Sequence, residues 1–246
     1  MKLLAHSFYF QLIELLRQPG YTIPTLAFPS LFYFLFAVPE SQDPSQATFM
    51  TGSFCAFAIF GVVFFQFGIG TAQDRASKWT LYVRTLPAPP WFPLLTRALI
   101  ATLIGLLSAS LVILLGLWLT PATWSAMELF QLYGTLILGC LCFAPMGIAF
   151  GYWVSEKTAL PLANLIYLPL SYIGGLLTPP QMLPEALHRA SQWTPTRHYG
   201  ELVWASTAPA SQNYPWESLI IVFGFSILFL IFTLVGYRRE QVLVWN

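Results

Sequence analysis

The stretch PSQATFMTGSFCAFAIFGVVFFQFGIGTAQ, residues 44–73, contains no Asp, Glu, Lys or Arg and is rich in bulky apolar side chains. An α-helix rises about 1.5 Å per residue, and the hydrocarbon core of a bilayer is about 30 Å thick. About 20 apolar residues in a helix therefore cross a membrane, and this stretch is long enough. It predicts one membrane-spanning helix.

Five further runs without charged residues flank this stretch, at residues 18–39, 98–127, 129–155, 158–184 and 218–237. Charged residues make up only 9% of the chain and hydrophobic residues 57%, whereas soluble domains carry about 25% charge. The sequence therefore predicts an all-α integral membrane protein with six transmembrane helices in a single domain, residues 1–246. We place the spans at about 21–38, 48–72, 92–119, 129–154, 159–177 and 217–236.

The basic residues fall into two unequal groups once these spans are placed. Nine lie on the side that holds both termini: Lys2, Arg17, Arg75, Lys78, Arg84, Arg97, Lys157, Arg238 and Arg239. Only Arg189 and Arg197 lie on the other side. Because Lys and Arg accumulate in cytoplasmic loops, we expect a multi-pass protein of the plasma (inner) membrane with both termini in the cytoplasm.

Segments outside and within the spans carry further structural predictions. Residues 2–18 have an amphipathic pattern, which predicts a helix lying in the cytoplasmic interface. Residues 178–216 are too polar to span the membrane and too apolar for a free loop. We expect short helices in the outer leaflet there, near Pro184–Gln192 and Arg197–Trp204. In the first span, Pro24 and Pro29 predict a kinked or partly opened helix.

Several kinds of chemistry have no support in this sequence. It lacks the phosphate loop Gly-x-x-x-x-Gly-Lys-Ser/Thr, so we expect no ATP binding by a known motif. In the middle of the spans the polar residues are neutral, whereas pumps and secondary transporters usually place charged residues there, which argues against ion-driven transport. His6, His188 and His198 are dispersed, and we expect no catalytic, cofactor-binding or metal-ligating residues and no nucleic-acid partner.

Two short motifs have competing interpretations. In the segment between spans two and three, Trp79 and Val83 are one helical turn apart and are flanked by basic residues. Taken alone, this pattern favours an ordinary cytoplasmic loop with an interfacial Trp; the alternative is a helix docked into a cytosolic partner, with Trp79 as its anchor. In span four, Gly147 and Gly151 form a small-xxx-small pattern, which we interpret as packing within the protein.

The order of these parts and two motif regions resemble the membrane subunit (permease) of type-2 ABC exporters along nearly the whole chain. The first region reads Asp74-Arg75-Ala-Ser-Lys78-Trp79, followed by Tyr82-Val83-Arg84-Thr85-Leu86-Pro87. The second reads Gly174-Gly175-Leu-Leu-Thr-Pro179-Pro180-Gln-Met-Leu183-Pro184, followed by Trp193-Thr-Pro195-Thr-Arg-His198-Tyr199. The chain departs from the family pattern at residues 76–78, where a second acidic residue and a glycine are common.

The resemblance implies that residues 74–86 form a coupling helix that receives movement from a partner. That partner is a cytosolic ABC ATPase subunit, which holds the ATP and Mg, so this chain is not an enzyme by itself. The implied coupling residues are Asp74, Arg75, Lys78, Trp79, Tyr82, Val83 and Arg84. A second permease copy or a related permease, together with membrane lipid, completes the expected partners.

The resemblance also implies a substrate path at the interface between two permeases, lined by spans one, two and five. By position, the candidates are Phe28, Phe32, Phe57, Phe64, Gln66, Asn164 and Tyr167. The family exports amphiphiles such as drugs, lipids and lipid-linked glycans, and we expect an ATP-driven exporter of that kind. The alternative is a membrane-embedded enzyme that modifies lipids, or a signalling subunit.

Overall fold

A computed structural model describes residues 6, 8–13, 17, 19–77, 92–207 and 214–244, and every regular element in these residues is helical. The α-helices are α1 (Pro19–Phe32), α2 (Pro44–Ala76), α3 (Phe92–Leu119), α4 (Ala126–Trp153), α5 (Glu156–Ile173), α6 (Glu185–Ser191), α7 (Pro195–Thr207) and α8 (Trp216–Val244). Five stretches of the described residues are long and apolar enough to cross a membrane: Thr22–Glu40, Pro44–Ala76, Leu94–Leu119, Ala126–Trp153 and Trp216–Glu240. The prediction of an all-helical protein with several membrane spans is confirmed.

Helix α5 occupies the place of the predicted fifth span but is not among those five stretches. It has 18 residues, which corresponds to about 27 Å of helix, and it begins with the charged residues Glu156 and Lys157. It ends before the predicted residue 177 because Gly175 has a φ of +82°, a left-handed conformation that terminates helices. The count of six spans therefore stays a prediction.

The ends of the other long helices are set by caps rather than by the nearest charge. The Asp43 side chain accepts a hydrogen bond from the Ser45 backbone N–H and starts α2. Ser125 and Glu128 form a capping box that starts α4, in which each side chain accepts from the other residue's backbone N–H. Helix α8 also does not end at the nearest charge, since it continues past Arg238 to Val244.

The first span is irregular, as its two prolines predict. Pro24 and Pro29 both lie inside α1, where each removes a backbone donor. The chain then changes helix type twice, to a π-helix over Tyr33–Ala37 and a 3-10 helix over Val38–Glu40. The Tyr33 hydroxyl is hydrogen-bonded to Thr51 Oγ1 at 2.9 Å and so attaches this segment to α2.

The structure describes part of each of the two segments in which short helices were predicted, residues 2–18 and 178–216. Residues 8–13 are helical, and most of the remaining residues of the predicted interfacial helix 2–18 lie outside the described residues. Helices α6 and α7 lie where short helices were expected within residues 178–216. Their depth in the membrane stays a prediction.

Helix α2 lies at the centre of the bundle and packs against α3, α4, α5 and α7. Its closest neighbour is α4, because two glycines allow the backbones to approach. A Cβ on Gly147 would lie 2.8 Å from the Phe67 Cβ, and one on Gly151 would lie 2.6 Å from the Gly68 carbonyl oxygen. The small-xxx-small pattern therefore packs within the protein. Helices α1 and α8 are mostly exposed and apolar.

Polar side chains gather at opposite ends of the bundle, and we name each end after one residue. The "Arg75 end" consists of the last turns of α2 and α8, the start of α3 and the connection between α4 and α5. The "His198 end" consists of α6, α7 and the starts of α2 and α8. Contacts of Arg75 and Arg97 define the first end, and contacts of His198 and Trp204 define the second.

Candidate functional site

The predicted coupling residues divide into two that the structure describes and five that it does not. Asp74 and Arg75 lie in the last turn of α2, which continues from the second span without a break. Lys78, Trp79, Tyr82, Val83 and Arg84 lie outside the described residues. A coupling role for residues 74–86 stays a prediction.

Arg75 connects the end of α2 to two other helices. Its Nε donates to Glu240 Oε2 of α8 at 3.1 Å, and its Nη1 donates to the carbonyl oxygens of Gly151 at 2.8 Å and Val154 at 3.2 Å. The guanidinium also lies over the Tyr152 ring, 5.6 Å from its centroid. A displacement of the end of α2 would therefore change the contacts that Arg75 makes with both α4 and α8.

Asp74 makes the second ion pair at this end. Its Oδ2 accepts from Arg97 Nη2 of α3 at 2.7 Å. The Asp74 side chain is 51% exposed and that of Arg97 is 19% exposed, so the pair is solvated on one side and contributes little to stability. Sequence reasoning counted Arg97 only as a cytoplasmic charge and did not pair it.

Four of the seven predicted path residues form one continuous stack of rings. Ring centroids lie 4.3 Å apart between Phe28 and Phe32, 5.9 Å between Phe32 and Phe57, and 4.8 Å between Phe57 and Tyr167. These distances are typical of attractive aromatic pairs. The stack joins α1, α2 and α5, which carry the three spans that the resemblance assigned to the path.

The stack is closed in this structure. Phe57 and Tyr167 are almost completely buried, and the Tyr167 hydroxyl donates to the Phe57 carbonyl oxygen at 3.0 Å. Gly61 makes room for that hydroxyl, since a Cβ there would lie 2.5 Å from it. An open path along these residues would require α5 to separate from α2.

The other three predicted path residues are not members of this stack. Phe64 is buried and contacts Phe60 and Phe150, with centroids 5.6 and 5.2 Å away. Gln66 is half-buried further along α2. Asn164 is also half-buried, and its Nδ2 donates to the Leu160 carbonyl oxygen of its own helix at 3.1 Å.

A buried polar network at the His198 end was not predicted from the sequence. His198 Nε2 lies 2.9 Å from the Gln192 carbonyl oxygen, and Nδ1 lies 3.1 Å from Ser218 Oγ. Ser218 donates to Glu201 Oε2, and Glu201 Oε1 accepts from Arg197 Nε at 2.8 Å. The only signal in the sequence was a His and a Glu on one short helical segment, three residues apart.

The donors and acceptors of this network favour a protonated His198. The Gln192 carbonyl can only accept, so Nε2 carries a proton. Because the Ser218 hydroxyl donates its hydrogen bond to Glu201, the Ser218 oxygen can accept from Nδ1, and this arrangement favours the imidazolium form. His198 Nδ1 also lies 3.5 Å from Glu201 Oε2, and the hydrogen bond between these two side chains raises the pKa of His198 above its ordinary value of 6.5. The same bond is the main cause that lowers the pKa of Glu201 to about 2.

Trp204 attaches the same network to α2. Its Nε1 donates to Ser53 Oγ at 2.6 Å, its ring stacks on Phe49 at 4.9 Å, and the Arg197 guanidinium lies 5.3 Å from its ring centroid. No group of three or more His, Cys, Asp or Glu among the described residues is arranged to hold a metal ion. Through the contacts of His198, Ser218 and Trp204, the network joins α2, α7 and α8.

Comparisons with known proteins cover the region that holds both the ring stack and the coupling segment. A family model described as "ABC-2 type transporter" matches residues 3–207. The chain is also 24% identical over 232 residues to "Putative transport permease YvfS" of Bacillus subtilis (strain 168), a match that covers 93% of this chain and 94% of that protein. The similarity therefore extends over almost the full length of both proteins.

Proposed function

This chain belongs to the ABC-2 type transporter family, and we propose from this premise that it is the transmembrane subunit of an ATP-driven exporter of amphiphilic molecules. Its multi-pass helical body makes it a membrane transport subunit. The family normally works with a separate ATPase. We infer that a cytosolic ABC ATPase with ATP and Mg binds residues 74–86, and that a second permease completes the transporter.

One observation carries this proposal: α2 holds the ring stack at its middle and the Arg75 and Asp74 ion pairs at its end. A partner that moves residues 74–86 would move the end of a continuous helix. Because that helix contacts Tyr167 of α5 through Phe57, the movement would act on the ring stack. Energy from outside the chain would thereby open or close the path.

The chemistry of the stack supports an amphiphilic substrate. Its lining is aromatic and apolar, with hydroxyl and amide groups nearby and no charge. On the same helices, Ile23 and Leu31 of α1 and Leu160 and Leu165 of α5 are exposed. This apolar surface suits a second permease, which would place the path between the two copies.

The proposed topology follows from the charges and the helix order. Helix α5 would be the fifth of six spans in chain order and would bring the five apolar stretches to six spans. Helices α6 and α7 would lie in the outer leaflet. The Arg75 end would face the cytoplasm, because it carries Arg75, Arg97, Lys157, Arg238 and Arg239 and basic residues accumulate on that side. Both termini would then be cytoplasmic, and transport toward the His198 end would be export.

The proposal is tested by the double variant Trp79→Ala with Arg84→Ala, purified together with its ABC ATPase partner. We expect unchanged folding and a loss of most of the substrate-stimulated ATP hydrolysis, because the aromatic anchor and a basic contact are removed together. ATP hydrolysis with and without amphiphilic substrates, and the yield of the co-purified ATPase, are the measurements.

The matched control is the double variant Trp193→Ala with Arg189→Ala, which removes the same residue types at the His198 end, where both side chains are exposed. The control should behave as the wild type. Unchanged ATPase yield and stimulation in the Trp79 and Arg84 variant would show that the coupling assignment is wrong.

A further inference from the structure

We propose that a cleft at the Arg75 end binds the phosphate of an anionic phospholipid. The cleft has a volume of about 270 Å³ and lies between α2, the α4–α5 connection and α8, with Arg75, Trp153 and Arg239 in its lining. The inference rests on the proposed function only for the leaflet concerned, which would be the cytoplasmic one.

The charge of the cleft favours an anion. Among the residues that the structure describes, its charged lining residues are Arg75, Arg239 and Glu240, so one positive charge of this set remains after Arg75 pairs with Glu240 at 3.1 Å. Arg239 makes no ion pair with any residue that the structure describes, and its side chain is exposed. A guanidinium in this state is suited to bidentate binding of a phosphate.

Aromatic rings hold both guanidinium groups in place. The Arg75 Cζ lies 5.6 Å from the centroid of Tyr152, and the Arg239 Cζ lies 5.5 Å from that of Trp153. Such cation–π contacts orient the planar groups before a ligand arrives. Because Arg75 also donates to the Gly151 and Val154 carbonyl oxygens, its position does not depend on the ligand.

The surroundings identify the anion as a lipid rather than a free phosphate. Trp153 is 49% exposed, and an exposed Trp at the end of a spanning helix is typical of the headgroup region. Phe232 and Val235, one turn before the cleft on α8, are large, apolar and exposed. A ligand with its phosphate on Arg239 could therefore lay an acyl chain along these side chains.

The test uses the purified permease in nanodiscs of phosphatidylcholine, titrated with phosphatidylglycerol, and measures the melting temperature and lipid adducts by native mass spectrometry. We expect phosphatidylglycerol to bind the wild type preferentially and Arg239→Gln to weaken that binding about tenfold. Arg238→Gln is the matched control, since Arg238 is an adjacent exposed arginine that does not line the cleft.

A second variant gives an effect of opposite sign. Glu240→Gln removes the one carboxylate among the described lining residues of the cleft and should strengthen phosphatidylglycerol binding about two- to threefold. Equal loss in the Arg238 and Arg239 variants, or no preference for phosphatidylglycerol, would overturn the proposal. Competition by millimolar inorganic phosphate would overturn the lipid assignment. Neither result affects the ATPase-coupling test, so the two proposals fail separately.

Discussion

The Arg75 end and the His198 end use similar side chains in opposite ways. At the His198 end, a histidine, a serine, a glutamate and an arginine form a closed network in which His198 is nearly buried. At the Arg75 end, the two ion pairs are separate, and the Asp74 carboxylate is 51% exposed. One end is a single connected network, whereas the other consists of two separate pairs, of which the Asp74–Arg97 pair is open to water.

This difference indicates which end can rearrange at low cost. Breaking a buried charged network leaves groups without partners and costs several kcal/mol, whereas a solvated ion pair contributes only about 0–1 kcal/mol. The Asp74–Arg97 pair can therefore exchange its contacts at low cost if the end of α2 moves. The His198 end would hold α2, α7 and α8 together through the same movement.

The largest expected effect is the loss of the joint at the His198 end. Glu201→Gln should lower the free energy of unfolding by about 2 kcal/mol, because the imidazolium of His198 and the guanidinium of Arg197 lose their shared counter-charge. Unfolding of the purified permease in detergent, followed by tryptophan fluorescence, measures this. Glu185→Gln is the control, since Glu185 makes an exposed pair with Arg189 worth under about 0.5 kcal/mol. Equal losses in the two variants would remove the contrast between the ends.

A smaller effect is expected from a change of pH, because it removes the charge of either Glu201 or His198 and leaves the other residue charged. The folded-state pKa of Glu201 lies below its ordinary value of 4.5, so its contribution is present above that value and is lost as the pH falls toward about 2. The folded-state pKa of His198 lies above 6.5, so its contribution is present below 6.5 and is lost as the pH rises through the raised pKa. The network should therefore stabilise the protein most between about pH 4.5 and about pH 6.5.

The measurement compares melting temperatures at about pH 6 and about pH 9 for the wild type and His198→Gln. The wild type should lose stability toward alkaline pH, and the variant should lose less, because it has no imidazolium to deprotonate. A variant with the same alkaline loss as the wild type would show that His198 is neutral in the folded protein.

The smallest effect is expected at the Arg75 end. A double-mutant cycle with Arg75→Gln and Glu240→Gln should give an interaction energy of about 0.5–1 kcal/mol in unfolding experiments. An interaction energy equal to or larger than the free energy of unfolding lost in Glu201→Gln would mean that the contacts at the Arg75 end are as strong as those at the His198 end.

The sequence predicted the helices better than their ends. Charge-free runs located the spanning helices because a bilayer excludes charge from its core. The runs did not locate the ends, which depend on caps such as Asp43 and Ser125. The glycine at 175 ended α5 early, and no hydropathy argument distinguishes that glycine from those packed inside helices.

The candidate sites were predictable to different degrees. The members of the ring stack were among the candidates because the family resemblance named three helices that are rich in aromatic residues; α2 alone carries seven Phe residues. The pair of Arg75 and Glu240 joins residues 165 positions apart, so it depends on how α2 and α8 pack and not on any local pattern. The His198 network likewise depends on Ser218, which arrives from α8.

Helix α8 connects these two ends through a single narrow seam. Residues along this face that contact the rest of the protein include Ser218, Val222, Ser226, Phe229, Thr233, Gly236 and Glu240. They recur every three or four positions, so about six helical turns bring Ser218 and Glu240 back to the same face. A single inserted residue between them would rotate one end by about 100° and break one of the two attachments. The length of α8 must therefore keep Ser218 and Glu240 on the same face of the helix, and it must also match the thickness of the membrane.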